Sequence, residues 1–226
     1  MKILIAIPSV FEADAIFKSA CVKARLGSVA KISENINAII TGVGCKASQD
    51  RLDCEIKNFS PDVVLLLGYC GACNDSLKNS DFVYETTCDT LAEIFENFGA
   101  KKAKIACVNK TADFAKKQEL AKLNFDAVEM ESDFFKQSAK ANNTNFAHLR
   151  CVSDAKNSSI PTDIMNMSMN KNTGAINPLK MLSPKAFCKH PTILFNLIRF
   201  GIEIAPTQKI FAKKSVELVS ILKKLH

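Results

Sequence analysis

The sequence has no apolar run close to the length of about 20 residues that a membrane-spanning helix requires. It therefore predicts a protein that does not cross a bilayer. The first residues, MKILIAIPSVFEADA, also lack the long apolar stretch of a secretory signal, because Pro8 and the acidic Glu12 and Asp14 follow a short run. We expect a cytoplasmic protein whose first apolar residues form a buried strand.

Histidine is scarce, and cysteine shows no pairing pattern. The three His stand at positions 148, 190 and 226, and the nine Cys are odd in number and scattered through apolar segments. These spacings do not match a metal site, and we expect free thiols in a reducing compartment. Cys70 and Cys73 are close together, but they follow an apolar strand instead of opening a helix, which disfavours a thioredoxin-like redox motif.

Low-complexity segments are absent, and most of the chain carries no excess of charge. The 226 residues, 47% hydrophobic and 23% charged, are long enough for one sizeable core, and we expect a single domain over residues 1–226. The net charge of +7 comes from residues 180–226, which contain nine Lys or Arg and two acidic residues. The neutral remainder argues against a nucleic-acid-binding protein.

Apolar runs of strand length alternate with segments of helical periodicity, which predicts an α/β fold with a largely buried sheet. The predicted strands are Lys2–Ile7, Ala38–Thr41, Val63–Leu67, Phe82–Thr87, Lys104–Val108, Phe125–Glu129 and Ala147–Ser153. The predicted helices are Phe11–Lys23, Cys45–Asn58, Thr111–Leu123 and Ser132–Asn142. A long loop with little regular structure is expected over residues 157–183, and a basic pair of helices within 184–226, at Pro191–Ile204 and Pro206–Leu225.

Acidic residues stand at the predicted junctions between strands and helices. Glu129 and Glu131 are two residues apart at the end of a strand and share a face, whereas Met130 points elsewhere. Carboxylates at the carboxyl ends of strands are placed where open α/β sheets bind ligands. They are also common in solvated first helical turns, so the pattern alone leaves both interpretations open.

Two further acids have the same double interpretation. Asp154 ends an apolar strand, where a carboxyl group can keep or release a proton as a general acid, or can simply form a turn or an N-cap. Glu12 follows the first strand and is either catalytic or an ordinary acid in a helix start. Gly42-Val-Gly44 and the glycines Gly68 and Gly71 follow strands and allow a close approach of backbone to ligand, which is a weak signal alone.

The order of these motifs resembles the nucleoside phosphorylase/nucleosidase superfamily, which includes purine nucleoside phosphorylases and methylthioadenosine/S-adenosylhomocysteine nucleosidases. The resemblance covers about residues 1–160. Ala127-Val-Glu-Met-Glu131 matches the ribose-binding signature, and Val152-Ser-Asp154 matches the segment with the purine-protonating Asp. The segment through Glu12 resembles the first strand with its catalytic Glu. Gly42-Val-Gly44 and Gly68-Tyr-Cys-Gly-Ala72 stand where the family has glycine turns.

The resemblance implies a mixed central sheet and cleavage of the N-glycosidic bond of a purine nucleoside through an oxocarbenium-like ribose. It implies that Asp154 protonates the base and that Glu12 activates the attacking water. Glu131, helped by Glu129, would bind the ribose hydroxyls, and Met130 would pack against the sugar. No metal or organic cofactor is implied. The superfamily also suggests a homodimer.

Two departures from the family bear on the nucleophile and the pocket. Tyr69 and Ala72 replace a small residue and a Gly, which is expected to reshape the pocket beside the sugar. Phosphorolytic members bind phosphate with arginines on the glycine turns, and here none of the four arginines lies in those turns. Water is therefore the expected nucleophile. Lys46, the nearest cation, leaves phosphate and phosphorolysis as an alternative, and a non-catalytic nucleoside-binding or redox-responsive protein is a further alternative.

The substrate is narrowed only to a class. The short stretch between Cys107 and Phe125, the run from Ser153 to Pro161 and the basic C-terminal helices resemble the branch of the superfamily that acts in hopanoid biosynthesis on an adenosine bearing a lipid at the 5′ carbon. We therefore expect a 5′-substituted adenosine, with futalosine-type nucleosides as an alternative. The basic helices would either pack with a solvated lysine face or contact the inner face of an anionic membrane.

Overall fold

The structure, a computed structural model, describes residues 1–158, 162–177 and 193–225. Its strands are β1 (Ile3–Ile7), β2 (Val29–Lys31), β3 (Ile36–Ile40), β4 (Val63–Ala72), β5 (Phe82–Thr86), β6 (Lys101–Lys102), β7 (Ile105–Cys107), β8 (Ala127–Glu129) and β9 (Asn145–Asp154). Its helices are α1 (Val10–Ser19), α2 (Lys46–Phe59), α3 (Asp89–Asn97), α4 (Phe114–Lys122), α5 (Ser132–Ala141), α6 (Thr162–Ser168) and α7 (Ile193–Leu222).

The strands form one mixed sheet with the spatial order β2-β3-β1-β4-β9-β5-β6, and β8 joins the end of β4 and carries β7. The central strands β3, β1, β4 and β9 run parallel. The antiparallel pairs are β2 with β3, β8 with β4 and β5 with β9, whereas β6 lies parallel to β5 and β7 parallel to β8. The two longest strands, β4 and β9, lie side by side. Their carboxyl ends therefore reach beyond β1 together and leave space above it.

Both faces of the sheet are covered, because the strands are apolar on both sides. On one face Ile5, Phe17 and Phe211 belong to a core that α1, α3 and α7 complete. On the other face, Leu52 and Ile56 of α2 pack with Leu4 and Leu66 and with α5. The sequence predicted this arrangement from the continuous apolar runs, and the α/β fold with a mixed central sheet is confirmed.

All seven predicted strands and four predicted helices form within a few residues of their expected bounds. Helix α3 is an unpredicted element, and its buried Leu91 and Phe95 place it against the sheet. The short strands β2 and β6 are also additions at the sheet edges. No helix among the described residues is long and apolar enough to cross a membrane.

The regions after Asp154 differ from the prediction. The segment expected as an irregular loop over 157–183 contains α6 and a bridge between Met169 and Ile176, although its residues 159–161 and 178–183 lie outside the described residues. The predicted C-terminal helical pair is wrong in its division, because α7 runs without a break past Pro206. Pro206 is exposed, with the half-buried Ile204 before it and the buried Thr207 and Phe211 after it. The expected start at Pro191 lies outside the described residues.

The segment Gly68–Ala72 was expected as a glycine turn, and the structure shows that it is the second half of β4. It stays extended because it pairs with β9 along its length and with β8 at Gly71 and Ala72. A shift of register between Cys70 and Gly71 marks the point where the strand bends. Gly68 and Gly71 therefore lie within a strand and not in a turn.

Candidate active site

A cavity of about 380 Å³ opens where β1 and β8 diverge along β4. β1 pairs with β4 only as far as Leu66, and β8 joins only at Gly71, so one side of the intervening backbone faces no strand. The Tyr69 N–H in this gap donates to the Glu12 carboxylate over 2.8 Å. The cavity is lined by Glu12, Val43, Tyr69, Gly71, Lys117, Glu129, Met130, Glu131, Ser153 and Asp154, together with residues of α6 and α7.

Glu12 is positioned by the first turn of α1. Ser9 is the N-cap, and its hydroxyl accepts from the Glu12 N–H and donates to the Glu12 Oε2 over 2.5 Å. Burial raises the pKa of Glu12, while Ser9 and the more distant Arg150 oppose the rise. Glu12 is thus both a helix-start acid and a cavity residue, so the two interpretations of the sequence are compatible.

Arg150 is a fully buried cation beneath the acidic end of the cavity. Its Nη2 donates to Glu129 Oε2 over 2.6 Å and to Glu131 Oε2 over 2.9 Å. Its Nε donates to His148 Nε2 over 2.6 Å, which requires a neutral His148 with its proton on Nδ1. Burial and the adjacent guanidinium lower the pKa of His148 well below its usual range, in agreement with this tautomer. Arg150 therefore faces carboxylates and a neutral imidazole.

The two carboxylates on Arg150 have different surroundings. Glu129 also accepts from the N–H groups of Glu131 and Ser132 and from the Ser132 hydroxyl, so it caps α5. Although burial opposes ionisation, the Arg150 guanidinium and these donors lower the pKa of Glu129 to about 2. Burial and the neighbouring Glu129 raise the pKa of Glu131, against the attraction of Arg150. Glu129 is a fixed anion, and Glu131 is the member of the pair that can exchange a proton.

Gly68 lies where the Arg150 guanidinium and the Glu12 carboxylate converge. A Cβ at this position would stand 2.3 Å from Arg150 Nη1 and 2.6 Å from Glu12 Oε1, so no side chain fits. Arg150 Nη1 is buried and donates to no atom of the described residues. The guanidinium and the Glu12 carboxylate therefore pack together against the bare backbone of Gly68.

Asp154 stands at the other end of the cavity, at the last position of β9. Its Oδ1 accepts from the Ser153 hydroxyl over 2.6 Å, and its Oδ2 accepts from the Nζ of Lys117. Lys117 is buried on α4, and it also donates to the Ala155 carbonyl over 3.1 Å. Burial raises the pKa of Asp154, while Lys117 and Ser153 oppose the rise.

The remaining glycines permit close packing around the cavity. A Cβ on Gly71 would lie 2.8 Å from Asp154 Oδ2 and 3.0 Å from Lys117 Cε, so this strand position must stay bare. A Cβ on Gly44 would lie 2.0 Å from the Met130 carbonyl oxygen. Gly42 has a φ of +94°, which favours glycine. These close contacts are to protein atoms, and Gly42 and Gly44 flank Val43 without lining the cavity themselves, so the close approach of backbone to a ligand stays a prediction.

The C-terminal helix forms part of the cavity wall. Tyr69, which lines the cavity, packs its ring 4.5 Å from that of Phe211 on α7. Ile204 and Gln208 of α7 line the cavity directly. On the opposite side Phe11, 60% exposed, stands at the rim. The tail is thus a structural component of the site and not an appendage.

The cations considered for phosphate are not available in the cavity. Lys46 is exposed and pairs with Asp50 over 2.9 Å, so the expectation that it could serve the pocket is wrong. Arg51 donates to the carbonyls of Thr41 and Thr173 over 2.6 and 2.9 Å and thereby ties the loop after β3 to the segment after α6. The cations that face the cavity acids are Lys117 and Arg150.

The cysteines near the site are buried thiols. Cys70 lies in β4, and Cys73 follows that strand directly, so neither begins a helix. Burial raises the pKa of Cys70 well above its usual range and that of Cys73 to about 11. Neutral thiols of this kind are poor nucleophiles. No cluster of three or more metal-ligating side chains occurs among the described residues.

The structure brings together the predicted Glu12, Glu129, Met130, Glu131 and Asp154 around one cavity. Sequence reasoning missed the two buried cations. His148 and Arg150 are two residues apart within an otherwise apolar strand. Polar residues at alternate positions of a buried strand are unusual, and this pattern could have identified Arg150 from the sequence. Lys117 lies in the polar segment FAKKQELAK, where nothing distinguishes it from its solvated neighbours.

No protein-family model matches the sequence, and no curated protein matches it. Among solved structures, the chain is similar to the 5′-methylthioadenosine/S-adenosylhomocysteine nucleosidase of Campylobacter jejuni, with a TM-score of 0.62, 16% identity and coverage of 96% of this chain and 98% of that one. The Arabidopsis thaliana 5′-methylthioadenosine nucleosidase gives a TM-score of 0.63 at 10% identity over 100% and 97% of the two chains. The futalosine hydrolase of Helicobacter pylori gives 0.57 at 19% identity over 68% and 88%. At these identities the comparisons establish that the chain has the fold of these nucleosidases.

Proposed function

We propose that this protein is an N-glycosidase that releases the base of a purine nucleoside, with water as the nucleophile. The observation that carries the proposal is the convergence of Glu12, Glu131 and Asp154 on one cavity, with a separate buried cation at each end. Acid and base catalysis at one pH needs carboxyl groups in different surroundings, and the two ends provide them. The similar structures named for nucleosidase and hydrolase activity support the same chemistry.

The ribose binds at the end of the cavity that contains Glu12, Glu129 and Glu131. Glu131 accepts hydrogen bonds from the sugar hydroxyls, Glu129 holds Arg150 and α5 in place, and Met130 packs against the ring. The attacking water binds to the Glu12 carboxylate, which lines the cavity, and Glu12 accepts its proton. As the ribose becomes positive, the surrounding carboxylates stabilise that charge.

At the other end, Asp154 donates a proton to N7 of the purine. The protonated base is a better leaving group, so the bond between C1′ and the base nitrogen breaks more readily. Buried Asp154 is raised in pKa and is therefore suited to carry a proton near neutral pH. A non-catalytic nucleoside-binding protein would have no need of this arrangement, which favours the enzyme over that alternative.

Phosphorolysis is the less favoured reaction. A phosphate beside the ribose needs cations or free donors, and Lys46 and Arg51 are both engaged elsewhere. Arg150 is paired with two carboxylates through Nη2, and its unpaired Nη1 is buried and does not line the cavity. We therefore propose hydrolysis.

We propose a 5′-substituted adenosine as the substrate. The cavity wall away from the carboxylates is apolar and is formed by Phe11, Met165, Met169, Ile176 and Ile204. Such a wall suits an apolar group on the 5′ carbon, and methionine side chains adapt to different shapes.

We also propose a homodimer, with the exposed Phe11 at the cavity rim near the contact between subunits. Light scattering of the purified chain tests this directly, and a monomer would contradict it. Phe11→Ser, with Phe114→Ser on exposed Phe114 as control, then shows whether the rim lies in the contact.

A peripheral membrane contact is proposed for the outer face of α7. Phe195, Ile198 and Ile202 are 68%, 55% and 70% exposed, and Lys209 and Lys213 continue the same outward face. Lys214 is instead half-buried over the ring of Phe98. We expect sedimentation with anionic but not neutral vesicles, weakening as salt rises. Absence of binding to anionic vesicles at low salt would leave α7 with its role in the cavity wall alone.

The test of the proposed function is a base-release assay with the full chain. Purine nucleosides that differ at the base and at the 5′ carbon are incubated with the protein, and free base is quantified. We expect release of purine from at least one 5′-substituted nucleoside, and loss of release in Asp154→Asn. No base release from any nucleoside, in protein that is folded by circular dichroism, would contradict the proposal.

A further inference from the structure

Lys117 is the buried side chain of the cavity that the proposed mechanism has not used. Only 2% of its side chain is exposed, and its Nζ donates to the Asp154 carboxylate and to the Ala155 carbonyl. Lys116, its neighbour on α4, is 42% exposed and pairs with Glu119 at the surface. The same helix thus sends one lysine to solvent and the other to the acid at the end of β9.

A buried lysine–carboxylate pair is an expensive way to stabilise a fold, because both ions lose their hydration. The local packing is also built around this pair. Gly71 has no side chain at the point where Asp154 Oδ2 and Lys117 Cε meet the strand, and any Cβ there would collide with both. The strand, the helix and the carboxylate are therefore arranged to bring an ammonium group against Asp154.

The other titratable groups that face the pair are neutral or distant. Cys70 and Cys73 approach it from β4, and burial keeps both thiols protonated. Ser153 donates a hydroxyl hydrogen bond to Asp154, and the Asp126 carboxylate is near Cys73. Lys117 is therefore the cation in direct contact with this acid among the described residues.

We infer that Lys117 is the positioning residue of Asp154 and the source of the proton that Asp154 passes to the leaving base. The inference rests on the proposed function. The Lys117 Nζ already donates a hydrogen bond to Asp154 Oδ2, so the proton passes along an existing contact.

The proton and electron balance of the step closes without a further reactant. The bond between C1′ and N9 breaks, and its electron pair goes to the purine. N7 takes a proton from Asp154, and Asp154 takes one from Lys117 Nζ. The water oxygen bonds to C1′ and gives a proton to Glu12. After the products leave, Lys117 regains a proton from solvent and Glu12 loses one to solvent.

The pH dependence of Lys117→Ala tests the relay. Without the ammonium, the proton must reside on Asp154 alone, and it is lost as the pH rises through the pKa of that carboxyl. We expect kcat to fall by about 10²–10⁴-fold on the alkaline side, with a much smaller loss at acidic pH. A lysine that only holds down the pKa of Asp154 would, once removed, let Asp154 keep its proton to higher pH, so kcat would be retained on the alkaline side, and that result would overturn the inference.

Chemical rescue separates charge from proton transfer. Propylammonium added to Lys117→Ala replaces the deleted atoms and carries a transferable proton, so we expect it to restore part of kcat. Tetramethylammonium has the same charge without a proton and should not. Equal rescue by both ions, or rescue by neither, would contradict the relay. Lys117→Met, which nearly keeps the side-chain volume, should show the same alkaline loss if Lys117→Ala is poorly folded.

Two controls make the failure of this inference distinct from failure of the proposed function. Lys116→Ala, on the same helix, should leave kcat and its pH dependence unchanged. If the wild-type chain releases base and Lys117→Ala matches it at every pH, only the role of Lys117 is wrong. If the wild-type chain releases no base from any nucleoside, the proposed function itself fails.

Discussion

The two ends of the cavity each contain one buried cation, but the cations have different partners. At the Arg150 end, a guanidinium lies among Glu129, Glu131 and the more distant Glu12. At the Lys117 end, an ammonium faces the single carboxylate of Asp154. A guanidinium keeps its charge at any working pH. The Arg150 end therefore holds a permanent cation shared among carboxylates, whereas at the Lys117 end one ammonium donates directly to one acid.

The difference matches the two halves of the proposed N-glycosidic cleavage. In that proposal the sugar becomes positive and is stabilised by the carboxylates at the Arg150 end, while the departing base needs a proton. The same residue types thus have different roles according to their partners. The predictions that follow separate the two ends, and they run from the largest expected effect to the smallest.

Removing the fixed cation has the largest expected effect. Arg150→Met leaves buried carboxylates without their shared partner, and breaking such a buried network costs about 3–5 kcal/mol of unfolding free energy. Urea unfolding followed by circular dichroism measures the loss, and Arg199→Met, at an exposed pair with Glu203, is the matched control. A loss for Arg150→Met no larger than that of the control would show that the carboxylates do not depend on Arg150.

Removing the acid at the other end should affect rate and not folding. Asp154→Asn keeps the shape but has no proton to give, so kcat on a purine nucleoside should fall by about 10²–10⁴-fold. Asp75→Asn, at an exposed pair with Lys156, is the control and should be normal. Near-normal turnover of Asp154→Asn would remove Asp154 from the mechanism and would make the two ends of the cavity equivalent.

The sugar contact of Glu131 should appear in the discrimination between ribose and 2′-deoxyribose. A hydrogen bond to a charged group contributes about 1.5–3 kcal/mol, which corresponds to a preference of about 10–100-fold for the ribonucleoside. Glu131→Gln should narrow this preference, whereas Glu119→Gln at the surface should not. We expect this narrowing to appear in the ratio of kcat/KM for the ribonucleoside to kcat/KM for the 2′-deoxyribonucleoside. The same preference in wild-type and Glu131→Gln protein would place the ribose elsewhere.

The smallest expected effect is that of Glu12→Gln on the free energy of unfolding. Burial raises its pKa in the folded state, so the folded protein binds this proton more tightly than the unfolded chain. The linked stability is fully present below the ordinary Glu pKa and is lost as the pH rises through the folded-state pKa. Glu12→Gln has no proton to lose at this position, so it should raise the unfolding free energy at neutral pH.

The check is the free energy of unfolding in urea at several pH values. Its decline from acidic to neutral pH should be weaker in Glu12→Gln than in wild-type protein. Glu34→Gln, at an exposed position, should retain the wild-type slope. A steeper decline in Glu12→Gln would show that the sign of this linkage is wrong.

The fold was predictable because its strands are buried on both faces and therefore apolar throughout, as in β1 and the first half of β4. The glycine segment of β4 was not, since Gly68 and Gly71 read locally as a turn and become a strand only through pairing with β8 and β9. The helix α7 was divided at Pro206 for a similar reason, because tertiary packing overrides a local breaker.

The carboxylates of the site were found because their positions after strands are visible in the chain order. The cations were not, for two different reasons. The role of Arg150 could not be recognised because its partners are 19 and 21 residues away in the sequence, on other elements. Lys117 cannot be distinguished by sequence from the other lysines of a polar helix. Its burial depends on contact with the distant Gly71, which has no side chain where Lys117 Cε packs. Pairings of this kind depend on tertiary structure and leave no local pattern.

The identity of the sugar product tests the central claim most directly. The full chain is incubated with a 5′-substituted adenosine in the presence and absence of phosphate, and the sugar is identified by mass spectrometry. The account predicts free sugar in both cases, at a rate indifferent to phosphate and strongly reduced in Glu12→Gln. A sugar 1-phosphate, formed only when phosphate is present, would contradict it.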